Sequence, residues 1–130
     1  MDVPNWTNYF MNLVYQVQKR SKDKNTQVGA IIVGPKNEIR STGYNSFPTG
    51  INDYIHERQE RPEKYFWMVH AEVNSICSAA RVGTPLEGCI MYTNGTPCTN
   101  CARSIIQSGI KKVIYDKNWS CQCLKKLGLN

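Results

Sequence analysis

The chain has 130 residues, of which 41% are hydrophobic and 20% are charged, and its formal net charge is +6. This composition excludes wholesale disorder, and the length predicts a single domain over residues 1–130 with a core of its own. No apolar run approaches the ~18 residues that a membrane span needs, and the positive charge suits either an anionic partner or an ordinary basic surface.

The predicted elements alternate between helices and strands. In chain order they are a helix over residues 5–20, strands over 28–33 and 38–44, a helix over 69–81, a strand over 89–92, a helix over 98–107, a strand over 112–115 and a short helix towards residue 130. The short turn at Gly34-Pro35 makes the first two strands antiparallel. The later alternation favours a mixed or parallel sheet with helices on both faces.

Residues 45–64 are polar and predict a long loop, which in a compact domain is usually functional or disordered. The first residues have neither the basic nor the apolar region of a secretory signal, so we expect a cytoplasmic protein. The six cysteines are therefore expected to be metal ligands or packed thiols rather than disulfides.

One constellation carries chemistry: His70-Ala71-Glu72, followed by Pro97-Cys98-Thr99-Asn100-Cys101. His70, Cys98 and Cys101 are ligand types that suit zinc, and three protein ligands leave a fourth position for water. Glu72 lies close enough to take a proton from that water without being a ligand. The pattern matches the signature of zinc enzymes that deaminate nucleobases.

Two other interpretations of this constellation remain open. In a closed structural zinc site, the fourth ligand would be Cys77, Cys89, Cys121 or Cys123. That interpretation leaves Glu72 and Pro97 unexplained. Alternatively, the C-x-x-C pair is a redox motif and His70 is an ordinary core histidine.

Beyond the zinc signature, the sequence resembles the deoxycytidylate (dCMP) deaminases of the cytidine-deaminase superfamily, in particular compact viral or bacterial members. The resemblance rests on residues 21–30, 43–50 and 105–111 and covers roughly residues 21–115. It implies a three-layer α/β/α sandwich around a mixed sheet of about five strands. It also implies that dCMP is hydrolysed to dUMP and ammonia, which supplies thymidylate synthesis.

The resemblance also implies substrate-binding residues, each with an ordinary structural alternative. Asn25 and Thr26 would hold the phosphate, or form a polar loop. Asn45 would bind the deoxyribose 3'-hydroxyl, or serve as a turn residue. The backbone of Ala71 would bind the base edge, and Tyr115 would stack on the pyrimidine or be an aromatic residue at a sheet edge.

A regulatory site is implied as well. Family members are activated by dCTP and inhibited by dTTP, with Mg²⁺ accompanying the triphosphate, and they form homohexamers. The residues that match the regulatory segment are Gly43, Tyr44, Asn45, Pro48 and Gly50. The location implied for a viral member is the host cytoplasm.

Three rival functions stay open. The net charge of +6 permits a deaminase that acts on RNA or single-stranded DNA, but no basic, aromatic-rich extension is present to follow a backbone, so nucleic acid is not the expected partner. A nucleoside-level cytidine deaminase is disfavoured by the long loop and the Gly43-Tyr44-Asn45 segment. A non-catalytic zinc-stabilised binding module would have no need of Glu72.

Overall fold

The structure is a computed structural model that describes residues 2–23 and 25–116. Its elements in chain order are α1 (Trp6–Gln18), β1 (Gly29–Val33), β2 (Ile39–Tyr44), a one-turn 3-10 helix (His56–Gln59), α2 (Glu63–Trp67), α3 (Ala71–Val82), β3 (Ile90–Thr93), α4 (Thr99–Gln107) and β4 (Lys112–Tyr115). The predicted tail helix, Cys121 and Cys123 lie outside the described residues.

The four described strands form one mixed sheet in the order β2-β1-β3-β4. β1 is antiparallel to β2, with Gly29 opposite Tyr44, as the short turn predicts. β1 is also antiparallel to β3, whereas β3 and β4 run parallel and are connected through α4. The mixed sheet is therefore confirmed, and the fifth strand implied by the resemblance is not among the described residues.

Helices cover both faces of the sheet, which confirms the three-layer arrangement. Every residue of β1 is buried, because its side chains alternate between two cores. Ile32 packs with residues of α3 and α4 on one face, and Ile31 packs with Phe10 and Val14 of α1 on the other. Burying one such aliphatic side chain contributes about 1.5–3 kcal/mol, so the two faces together hold the sheet between its helices.

α3 lies unusually close to β2, and Gly43 makes this approach possible. A Cβ at Gly43 would lie 2.5 Å from the backbone N of Ser75 and 2.7 Å from the carbonyl O of Ala71. The hydroxyl of Ser41 donates a hydrogen bond to the carbonyl O of Ser75 at 2.6 Å. The start of α3 is thus fixed directly against the sheet.

The segment predicted as a long loop is more ordered than the sequence suggests. It contains the 3-10 helix and the start of α2, which begins at Glu63. Such short helices are marginal in isolation and depend on tertiary contacts, so apolar periodicity does not reveal them. No described helix is both long and apolar enough to cross a membrane.

Candidate functional site

The three predicted zinc ligands meet at one point. His70 Nδ1 lies 3.2 Å from the Sγ of Cys101 and 3.5 Å from the Sγ of Cys98. The three ligand atoms all lie within 4.8 Å of one another. Tetrahedral zinc with its usual bonds to nitrogen and sulfur separates such atoms by about 3.5 Å, so these residues fit the ion.

Two helix starts converge on this metal centre. His70 is the N-cap residue of α3, and Cys98 is the N-cap residue of α4. The positive end of a helix dipole favours thiolate ligands. Burial, together with Glu72 and Cys98, raises the pKa of the Cys101 thiol in the bare protein. A cation bound between these ligands would reverse that balance, since a coordinating thiol is deprotonated.

Glu72 is buried in the first turn of α3, only 4% exposed, beside the metal centre. Its Oε1 lies 3.5 Å from the hydroxyl oxygen of Thr93. Burial raises the pKa of Glu72, while hydrogen bonding to Cys101 and the charge of His70 act in the opposite direction. A carboxyl group with a raised pKa can hold a proton closer to neutral pH, which is what a proton shuttle requires.

A cavity of about 220 Å³ opens beside these groups. The residues that line it come from four parts of the chain: Asp23, Thr26, Val28, Asn45, Arg61, Lys64, Tyr65, Met68, His70, Ala71, Glu72, Thr96 and Cys98. The structure therefore brings Thr26, Asn45 and Ala71 together with His70, Cys98 and Glu72, as a substrate site would require.

Two predicted substrate residues lie away from this lining. Asn25 is exposed, and its backbone N donates a hydrogen bond to Asp23. Tyr115 is the last residue of β4, lies opposite Thr93 and packs against the core shared by α3 and α4. Their roles toward substrate stay predictions, and the geometry does not supply the contacts that the sequence suggested.

Asn45 borders the cavity but uses its side chain to organise the surrounding backbone. Its Oδ1 accepts a hydrogen bond from the backbone N of Val28 at 2.9 Å. Its Nδ2 donates to the carbonyl O of Thr26 at 2.9 Å. This side chain fastens the end of β2 to the loop before β1, and its predicted bond to the deoxyribose stays a prediction.

Sequence reasoning missed an ion pair in the cavity wall. Lys64 Nζ lies 2.7 Å from Asp23 Oδ2, and both side chains are buried. Burial raises the pKa of Asp23, but the bonds from Lys64 and from the backbone N atoms of Asn25 and Thr26 outweigh it, so the pKa is lowered overall. The two partners are 41 positions apart in the chain, so no local sequence pattern predicts their contact.

A second cavity of about 430 Å³ shares the lining residues Asp23, Asn45 and Met68 with the first. Four of the five predicted regulatory residues line it: Tyr44, Asn45, Pro48 and Gly50. The basic residues Lys19, Arg20 and Lys22 line it too. The fifth residue, Gly43, instead faces α3 at the close approach described above.

Comparison with known proteins gives concordant results. The family model for the cytidine and deoxycytidylate deaminase zinc-binding region matches residues 4–117. Human deoxycytidylate deaminase is 41% identical over 119 residues, which cover 88% of this chain and 66% of the human protein. The chain thus spans slightly less than two thirds of that relative's length.

Two further similarities extend the comparison. An uncharacterized deaminase of Aliivibrio fischeri is 42% identical over 111 residues, covering 85% of this chain and 72% of that protein. The crystal structure of dCMP deaminase from the cyanophage S-TIM5 in apo form superposes with a TM-score of 0.80 at 26% identity, covering 99% of this chain and 97% of that one.

Proposed function

Because this chain belongs to the family defined by the cytidine and deoxycytidylate deaminase zinc-binding region, we propose that it hydrolyses dCMP to dUMP and ammonia. The observation that carries the proposal is the buried carboxyl group of Glu72 next to the His70, Cys98 and Cys101 ligand set, at the edge of an open cavity. A closed structural zinc site has no use for that carboxyl group. The names of the human and cyanophage relatives support dCMP as the substrate.

The chemistry divides between the metal and the protein. Zinc, when bound, supplies the Lewis acidity that lowers the pKa of water to about 7. Glu72 accepts one proton from the attacking water and passes it to the ring nitrogen N3. It then carries the proton of the new C4 hydroxyl to the amine, the C4–N bond breaks, and the C4 carbonyl of dUMP forms. One water is consumed, and one ammonia leaves for each dUMP formed.

We assign substrate binding to Arg61, Thr26 and the backbone of Ala71, which line the cavity. The charge of Lys64 is already matched by Asp23, so Arg61 is the lining cation that would meet the 5'-phosphate. Thr26 borders the same cavity from the opposite segment, and the backbone at Ala71 lies next to the metal centre for the base edge.

We propose the second cavity as the regulatory site for dCTP and dTTP. Tyr44, Asn45, Pro48 and Gly50 line it, and Lys19 and Arg20, just after α1, offer charge for a triphosphate, whereas the charge of Lys22 is matched by Asp53 at 3.0 Å. Mg²⁺ would accompany that ligand, as it commonly does with nucleoside triphosphates. A homohexamer, a role in supplying thymidylate synthesis and a cytoplasmic location stay predictions from the resemblance.

The decisive experiment compares ammonia release from dCMP, CMP, deoxycytidine and a cytosine-containing oligonucleotide, with the dCMP reaction repeated with dCTP plus Mg²⁺ and with dTTP. We expect a strong preference for dCMP and opposite responses to the two triphosphates. The matched control is Glu72→Gln, which we expect to keep zinc while turnover falls by at least about 100-fold. Turnover of the oligonucleotide alone would assign the protein to polynucleotide deamination, and full activity of the Glu72→Gln variant would refute the mechanism.

A further inference from the structure

The ion pair between Asp23 and Lys64 differs from the other ion pairs of the described residues. Its side chains are only 3% and 6% exposed, respectively, and the charged atoms lie 2.7 Å apart. By contrast, the Arg40–Glu38 pair has side chains 23% and 43% exposed. Lysine is among the residue types least often buried, so this position requires an explanation.

Stability alone is a weak explanation for the pair. Removing two charges from water costs about as much as their attraction returns, and well-packed apolar side chains of similar size often do as well or better. What a buried pair does supply is one defined geometry. The role of the ion pair therefore depends on the two segments that it connects.

Both segments are walls of the substrate cavity. On one side, Asp23 Oδ1 accepts hydrogen bonds from the backbone N of Asn25 at 2.8 Å and of Thr26 at 3.1 Å, which fixes the turn that carries Thr26. On the other side, Lys64 belongs to α2. Tyr65 of the same helix and Arg61, just before it, line the same cavity.

The second segment also leads into the metal centre. Five residues separate Lys64 from His70, and among them Val69 exchanges two backbone hydrogen bonds with Ser46, at 2.7 and 3.0 Å. The segment is thus held at one end by the ion pair and near the other by this bridge. Loss of the ion pair would release the end that carries Arg61.

We propose that Asp23 and Lys64 are positioning residues, which hold the Thr26 wall and the Arg61 wall at a fixed separation and thereby set the affinity for the phosphate end of the substrate. The inference rests on the proposed function. Neither side chain takes part in the proton transfers, and both act through the residues that they place.

The kinetic test uses Asp23→Asn, Lys64→Met, the double variant and the conservative Lys64→Arg, each assayed well below its own Tm. We expect the first three to raise KM for dCMP about tenfold or more, with kcat within about threefold and zinc content unchanged. Lys64→Arg should stay within about threefold of the wild type. Deoxycytidine, which has no phosphate, should be turned over equally by all of them.

The matched control is Glu38→Gln, which removes one charge from an exposed ion pair far from the cavity. We expect it to leave KM unchanged. If a single variant fails to fold, the double variant, which leaves no uncompensated charge, carries the test. A double variant that is folded and has the wild-type KM would overturn the inference, as would equal losses with dCMP and deoxycytidine.

Amide hydrogen exchange provides a readout that does not depend on turnover. In the double variant we expect the backbone N–H groups of Thr26 and Tyr65, which lie beside the two partners of the ion pair, to exchange about tenfold faster or more, while those of β1 keep their protection. A uniform loss of protection across the sheet would show that the ion pair stabilises the fold as a whole, and it would overturn the inference. Absence of dCMP turnover in the wild-type protein would refute the proposed function, and exchange at these two amides would still test the positioning role.

Discussion

Replacing Gly43 by alanine should lower kcat by more than the addition of a single methyl group suggests. The added Cβ would lie 2.5 Å from the backbone N of Ser75, about 0.9 Å closer than the 3.4 Å at which ordinary contacts begin. The other close atom, the carbonyl O of Ala71 at 2.7 Å, also belongs to the backbone of α3, so α3 has to move as a unit. A movement approaching 1 Å would displace Glu72, which lies in the first turn of that helix. A misplacement of this size can lower kcat by about 100-fold.

The same substitution should also lower stability. Overpacking of this kind costs about 1–3 kcal/mol, and each kcal/mol corresponds to about 4 °C in Tm for a domain of this size. We therefore expect a Tm that is lower by about 4–12 °C. Calorimetry gives Tm, and ammonia release from saturating dCMP, measured where the variant is folded, gives kcat.

Gly29 provides the matched control for this prediction. A Cβ there would lie 2.5 Å from the carbonyl O of Val14, so the clash is equally severe but involves α1 on the opposite face of the sheet. Gly29→Ala should lose a similar amount of stability and keep kcat within about fivefold of the wild type. Equal kcat in the two variants, or wild-type kcat and Tm in Gly43→Ala, would refute the argument from the position of α3.

Three further predictions follow from the site. Cys98→Ser should lose zinc and lower Tm, because metal binding is coupled to folding, whereas the exposed Cys77→Ser should do neither; elemental analysis and calorimetry decide. Arg61→Gln should raise KM for dCMP about tenfold or more and leave deoxycytidine turnover unchanged. The control is Arg81→Gln, in the last turn of α3, which should change neither. Equal effects of Arg61→Gln on both substrates would contradict the assignment of Arg61 to the phosphate. The pKa of Asp23 is lower in the folded protein than in the unfolded chain, where it is near 3.9. The ionised carboxylate therefore stabilises the fold above that pH, and this contribution is lost as pH falls through the folded-state pKa. The difference in unfolding free energy between wild type and Asp23→Asn should therefore narrow between pH 7 and pH 3 in urea titrations, and a constant difference would contradict it.

The parts of the fold that could be predicted from sequence are those with local causes. The predicted strand over residues 112–115 coincides with β4, and the predicted helix over 5–20 contains α1. Each has a periodic or continuous apolar pattern that packs on the sheet. The candidate metal ligands could also be predicted, because His70-Ala71-Glu72 and the C-x-x-C pair are recognisable within the sequence, and the fold brings the two helix starts that carry them to one point.

The substrate wall could not be predicted in the same way, because it is made by contacts between distant segments. α2 has five residues and no amphipathic pattern, and its place depends on the reach of Lys64 to Asp23. Gly43 shows the same limit: its membership in a recognisable motif suggested ligand binding, whereas its lack of a side chain is what admits α3. A motif identifies the reacting groups, and long-range packing decides how substrate is presented to them. For this reason, variants of Gly43 and Lys64, rather than of the zinc ligands, test how the fold controls the chemistry.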